Sequence, residues 1–151
     1  MGLRLSTGLR AAIMASTGFV GGMTGGVLDI FSGAIPADAD AAEGAGTKLL
    51  RITVDHGAFP ANALHFEATA PAGVAEKSTS ETWQGLGLAD GTAAWFRFYD
   101  SNDVQGASTT ELRFDGTVGT SGADLILSST SIIAGATTTI DTATFTLPAS
   151  A

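Results

Sequence analysis

Side chains that could do chemistry are few and scattered in this chain. Asp55-His56 is the first pair to weigh, because a carboxylate and an imidazole are two members of a Ser-His-Asp relay. Neighbours on a strand point to opposite faces, and no G-x-S-x-G nucleophile elbow occurs, so the pair reads as a surface or loop aspartate and histidine. His65 alternates with Leu64 and Phe66, which sends it to the polar face and to solvent. Asp38, Asp40 and Glu43, in Pro36-Ala-Asp-Ala-Asp-Ala-Ala-Glu43, offer the carboxylate oxygens a hard cation such as calcium needs, but their spacing does not fit a twelve-residue calcium loop. Asp100-Ser-Asn-Asp103 is a second oxygen-rich turn, of a type in which Asp and Asn more often bond the local backbone than a metal. None of the fifteen acids forms a pair singled out for glycoside hydrolysis. There is no cysteine, no G-x-x-x-x-G-K-[ST] loop and no G-x-G-x-x-G after a strand. The residues therefore read as a scaffold and not an enzyme, with no catalytic residue, no metal and no cofactor expected.

The richest segment is Trp95-Phe-Arg-Phe-Tyr-Asp100. Alternation puts Ala94, Phe96 and Phe98 on a core face and sends Trp95, Arg97 and Tyr99 to the other. Trp, Tyr and Arg are the residues enriched at contact hot spots, and Arg97 can lie over either ring as a cation-π pair. Two readings stand: an interface with a partner, or a central strand covered on both faces, with Arg97 paired to an acid such as Glu111 or Asp115.

The elements that must position these residues follow from a period of two. Val27 to Ser32, Lys48 to Asp55, Leu64 to Glu67, Glu81 to Leu88, Thr92 to Asp100, Thr109 to Val118, Ala123 to Ser128 and Thr137 to Leu147 read as strands. Gly85 and Gly87 mark a bulge or a close backbone approach. Asp90-Gly91, Asp115-Gly116, Ser121-Gly122 and Ala134-Gly135 mark reversals, or in the case of Asp115-Gly116 a bulge within a long strand. About eight short strands without long intervening helices predict an all-β fold, an antiparallel β-sandwich or jelly-roll-like barrel. The expected division is an N-terminal arm over residues 1–26, a short helix capped by Ser6 or Thr7 followed by a flexible Gly-rich segment, and a β-domain over residues 27–151. At 151 residues one core is expected, and 44% hydrophobic with 15% charged residues is enough to fill it.

Arg4 and Arg10 before an apolar run mimic a secretory signal, but Ser16, Thr17, Gly18, Gly21 and Gly22 dilute that run. No stretch is apolar for the length of a membrane span, and a net charge of -8 opposes phosphate backbones, so neither membrane nor nucleic acid is an expected partner.

Several runs together resemble a group of small virion-associated structural proteins of tailed bacteriophages and prophages. They are Met1-Gly-Leu-Arg-Leu-Ser-Thr-Gly-Leu-Arg10, Gly26-Val-Leu-Asp-Ile-Phe-Ser-Gly33 with Pro36-Ala-Asp-Ala-Asp40, Gly91-Thr-Ala-Ala-Trp-Phe-Arg-Phe-Tyr-Asp100, and Thr138-Thr-Ile-Asp141 through Leu147-Pro-Ala-Ser150. The resemblance implies a non-enzymatic building block of a virion assembled in the host cytoplasm. A capsid decoration or cement protein is favoured over a tail or head-tail connector component. Its partners would be the major capsid protein or other virion proteins, and copies of itself on the particle. Candidate partner-interface residues are Leu3, Arg4, Arg10, Ile13 and Phe19 on the arm and Trp95, Arg97 and Tyr99 on the central strand. The competing reading is a secreted or surface β-sandwich binding carbohydrate or a receptor, with Trp83, Trp95 and Tyr99 as stacking platforms.

Overall fold

Alternating apolar residues place the centre of the molecule at four antiparallel strands: β2 (Val27–Phe31), β3 (Lys48–Val54), β7 (Trp95–Tyr99) and β8 (Arg113–Gly119). The computed structural model describes residues 2–15, 17–68 and 70–147; Met1, Ser16, Thr69 and residues 148–151, with the Pro148-Ala-Ser150 end of the resemblance, lie outside them. With β1 (Arg4–Leu5), β5 (Trp83–Leu86), β9 (Leu125–Ile126) and β11 (Thr137–Ile140) these strands form an eight-stranded sheet. Its order is β1-β8-β7-β2-β3-β5-β11, antiparallel throughout that path, with β9 added to β8 in parallel. The fold is all-β and sandwich-like, as the period-two pattern predicts.

One face of the sheet carries Leu28, Ile30, Ile52, Phe96, Phe98 and Phe114 into the hydrophobic core. The ribbon of β4 (Val74–Glu76) and β12 (Thr144–Thr146) closes it, with Phe145 edge-on to Phe114 at a centroid distance of 5.0 Å. A second ribbon pairs β6 (Gly91–Thr92) with β10 (Ser131–Ile132), burying Ile132. Gly85 and Gly87 are closely approached, as expected: a Cβ on Gly85 would meet Arg51 O at 2.5 Å, and one on Gly87 would overlap Ile133 O. The run Thr137 to Leu147 is not one strand but two, because residues 141–143 break it and send β12 to a different sheet.

The expected short helix capped by Ser6 is present, but the expectation that residues 1–26 form a flexible arm needs correction. Arg4 and Leu5 pair with Asp115 and Phe114 of β8, and helix α1 (Thr7–Met14) starts at Ser6, whose hydroxyl accepts from Leu9 N at 3.1 Å. Helix α2 (Gly18–Met23) holds Phe19 against Phe114 at 5.0 Å. Leu3, Leu9 and Met23 are buried in the common core. Three glycines in a six-residue helix disfavour it by roughly 1 kcal/mol each, but Met23 is buried and Phe19 and Val20 pack half-buried against the core, so packing wins.

Candidate functional site

The opposite face of the sheet carries charge where a water-facing sheet would be merely polar. Asp29 interrupts the apolar run of β2, and the strand register brings four other charged residues into line with it. Arg51 and Arg97 both lie directly opposite Asp29, Asp115 lies opposite Arg97, and Arg4 lies opposite Asp115. A row Arg51–Asp29–Arg97–Asp115–Arg4 therefore crosses five adjacent strands with alternating sign. Cross-strand neighbours sit about 5 Å apart, close enough for every step to be attractive.

Two rungs are bidentate. Arg51 donates to Asp29 at 2.8 and 2.9 Å and, outward, to Asp103 at 2.7 and 2.8 Å. Arg97 donates to Asp115 at 2.6 and 2.8 Å, with both side chains fully inaccessible to solvent. Lys48 Nζ adds a contact of 3.0 Å to Asp29.

A roof made from the loop after β2 closes over this row. Arg4 donates to the carbonyls of Pro36 and Ala37, and Arg97 to those of Ala41 (2.7 Å) and Asp38 (3.3 Å). Asp40 accepts from Thr7 N and Oγ1 at 2.7 and 2.6 Å, tying the roof to α1. Glu43 is the hub: it accepts from Tyr99 OH at 2.7 Å and Gly106 N at 3.0 Å, and lies 3.6 Å from Arg97 and 4.0 Å from Arg113. Arg113 is buried with one hydrogen bond, to Gly106 O at 2.6 Å; its Nε and Nη2, with Arg4 Nε and Trp95 Nε1, have no partner among the described residues.

The electrostatics follow from this geometry. Burial lifts the Asp115 carboxyl above the usual aspartate range and outweighs the Arg97 guanidinium beside it. Burial also works on Glu43, but Tyr99 OH, Gly106 N and Arg97 prevail and hold it below the usual glutamate range. Burial and the neighbouring Glu43 push the Tyr99 phenol upward. Burial raises Asp100, whose Oδ1 accepts from Asn102 N at 3.1 Å, a local turn bond.

The interface expected from Trp95, Arg97 and Tyr99 is corrected here: all three are buried, Trp95 stacked on Phe31 at 4.3 Å and Arg97 lying 5.7 Å from the Trp95 ring centre. The roof covers the second face of β7, so the central-strand reading holds and the acid is Asp115. Trp83 is buried as well, with Nε1 donating to Glu81, which removes the three rings as stacking platforms. Leu3 is buried, Phe19 and Ile13 are half-buried, Arg4 serves the roof, and Arg10 is exposed with a bond to Thr7 Oγ1. Alternation does place His65 outward, but its Nδ1 meets Glu81 Oε2 at 2.6 Å.

Asp29, Arg51, Asp115, Glu43 and Arg113 are the residues the sequence did not single out as a group. The one local signal was Asp29, a carboxylate inside the strand Val-Leu-Asp-Ile-Phe. Among the described residues no three His, Cys, Asp or Glu side chains gather as a metal set. Asp38 accepts from the local Asp40 and Ala41 amides, while Asp103 is held by Arg51. A surface recess of about 460 Å³ beside β12 and β9 has Asp124 as the only ionisable side chain among its described lining residues, and that carboxylate accepts from Thr117 N and Oγ1.

Fold and site together define an all-β, sandwich-like domain with an apolar layer on one side of its sheet and an ionic layer on the other. No family model matches the chain, and neither a curated protein nor a solved structure matches it.

Proposed function

We propose that the chain is a non-enzymatic structural protein of a tailed-bacteriophage particle, a capsid decoration protein seated on the major shell protein. One observation supports this reading beyond the resemblance of its framework runs. Arg4, Lys48, Arg51, Arg97 and Arg113, five of the seven basic residues, serve the buried row and its roof. Such an arrangement makes the sheet rigid without leaving those groups for a substrate. A rigid block seated many times on a lattice needs only modest affinity at each contact. The docked N-terminal segment changes the expected mode of attachment. Arg10, Ile13 and Met14, beside Leu5 and Leu147, line a shallow groove of about 340 Å³ and remain the part of that segment offered to a shell partner.

Quantitative mass spectrometry of purified particles from the encoding phage tests the proposal. A copy number comparable to the shell subunit is the expected result. A single ring's worth would transfer the chain to the connector or tail, and absence from particles would overturn the virion reading.

A further inference from the structure

The roof over the charged row is built unlike the sheet it covers. Residues 33–47 form neither helix nor strand, and Ala39 is the only buried residue among them. A segment with no large apolar anchor and no strand ladder depends on its polar contacts to stay in place.

Its base is narrow. Ser32 N donates to Thr47 O at 3.0 Å and Thr47 N to Ser32 Oγ at 3.2 Å, so the two ends of the roof meet at one clasp. Gly33, at φ 84°, turns the chain out of β2, and Gly46 lies so close to Ser32 O that a Cβ would overlap it. A segment that leaves and returns through one pair of residues can swing there while the strands on either side stay paired.

The fastenings beyond the clasp are polar. Arg4 and Arg97 hold roof carbonyls, and Ser108 N donates to Asp40 O at 2.8 Å. Two fastenings use carboxylates of the roof itself. Asp40 binds Thr7 and faces Arg10 of α1 and Arg113 of β8. Glu43 binds Tyr99 OH and Gly106 N and faces Arg97 of β7, with Asp115 behind it, and Arg113. Burial opposes both charges, but hydrogen bonds from Thr7 at Asp40 and from Tyr99 and Gly106 at Glu43 prevail, so both carboxyls titrate below their ordinary ranges. Their hold is present at neutral pH and is lost as pH falls through those depressed values.

Polar matching is poorest at this same junction. Arg4 Nε, Trp95 Nε1, and Arg113 Nε and Nη2, buried and without a partner among the described residues, all belong to side chains where roof and sheet meet. Opening the roof to solvent lets these donors bond and rehydrates Arg97 and Asp115, which offsets part of the cost of opening.

We propose that the roof is a lid that opens at the Ser32–Thr47 clasp when Asp40 and Glu43 lose their charge, while the sheet beneath stays folded. Opened, it uncovers Trp95, Arg97 and Tyr99, residue types that concentrate at protein contacts. The device holds whether or not the chain belongs to a particle.

Solvent exchange of the Trp95 indole N–H, followed by NMR beside the backbone amides of β2 and β7, tests it. In the wild type, urea below the unfolding transition should leave indole exchange nearly unchanged while it speeds those amides, because opening a lid exposes little surface. At about pH 7, Asp40→Asn with Glu43→Gln should speed indole exchange about tenfold or more, since a charged acceptor bonds roughly twice as strongly as a neutral one. The ratio of variant to wild type, taken at equal pH, should shrink toward one on acidification as the wild type loses the same charges. Asp40→Asn alone, at the exposed rim, should act in the same direction with unchanged circular dichroism. Indole exchange that follows the urea dependence of the β2 and β7 amides, equal indole rates in variants and wild type at neutral pH, or a ratio that persists in acid would each overturn the lid.

Discussion

Replacing Arg97 by Met removes the centre of the charged row. Arg97 is fully buried, holds Asp115 with two short bonds and donates to two roof carbonyls. Methionine fills much of the space, so the chief cost is an Asp115 carboxylate left under the roof without its partner. Breaking a buried pair from one side costs about 3–5 kcal/mol, a large share of the roughly 5–15 kcal/mol by which a domain is stable. For a chain of this size that corresponds to a fall in Tm of about 6–20 °C.

Urea and thermal unfolding followed by circular dichroism measure the loss, and its pH dependence identifies the cause. Without Arg97 the folded Asp115 carboxyl titrates still further above its unfolded value. The penalty is then absent below the unfolded value and complete above the folded one, so the deficit against wild type must shrink as pH falls. The double variant Arg97→Met/Asp115→Leu removes both charges and should return to within about 2 kcal/mol of wild type, the remainder reflecting the Ala41 carbonyl left without a donor while Asp38 O keeps the Ala41 amide. A single-variant loss below about 1 kcal/mol, or a double variant no better than the single, would refute the reasoning.

Two further changes address the roof and the N-terminal segment. Glu43 titrates below its ordinary value, so its contribution is present above the unfolded glutamate range and is lost as pH falls through the depressed folded value; Glu43→Gln should lack that segment of the stability curve, and urea midpoints that run parallel to wild type across the range would contradict it. Gly8→Ala raises helix propensity by about 1 kcal/mol, yet its Cβ would overlap Thr110 O, so α1 should lift from β8. Hydrogen exchange should then rise across residues 4–13 and stay slow in β2 and β7, and unchanged protection would show that the segment is not clamped there.

Much of the sheet is visible in period-two alternation, because burying one face imposes it. Lys48 to Asp55 matches β3 to within a residue, and Phe96, Phe98 and Phe114 sit in the core as alternation demands. The charged row is not visible as a whole, because its members are 18 to 111 positions apart and only strand register brings them together. Burial of Trp95 and Tyr99 was one of two open readings: alternation says that two faces differ, not whether a loop folds back over the second. The short helix capped by Ser6 was legible, but the docking of the Gly-rich segment that forms α2 was not, for a related reason. Glycine content reports the entropy of an isolated segment, whereas Leu9, Phe19 and Met23 respond to a surface that exists only once β8 is in place.

The row also bears on how the strands find their alignment. An apolar face tolerates slips by two residues, since such a slip returns every phenylalanine to the same side. Moving β7 by two against β8 would set Arg97 opposite Arg113 or Thr117, and moving it by two against β2 would set it opposite Val27 or Phe31. Each misalignment strands a guanidinium beside a neighbour that is uncharged or like-charged. The ionic layer thus proofreads a sheet whose greasy layer could not tell neighbouring registers apart. Changing one residue at positions 29, 51, 97 or 115 should therefore cost more than changing it together with its opposite partner.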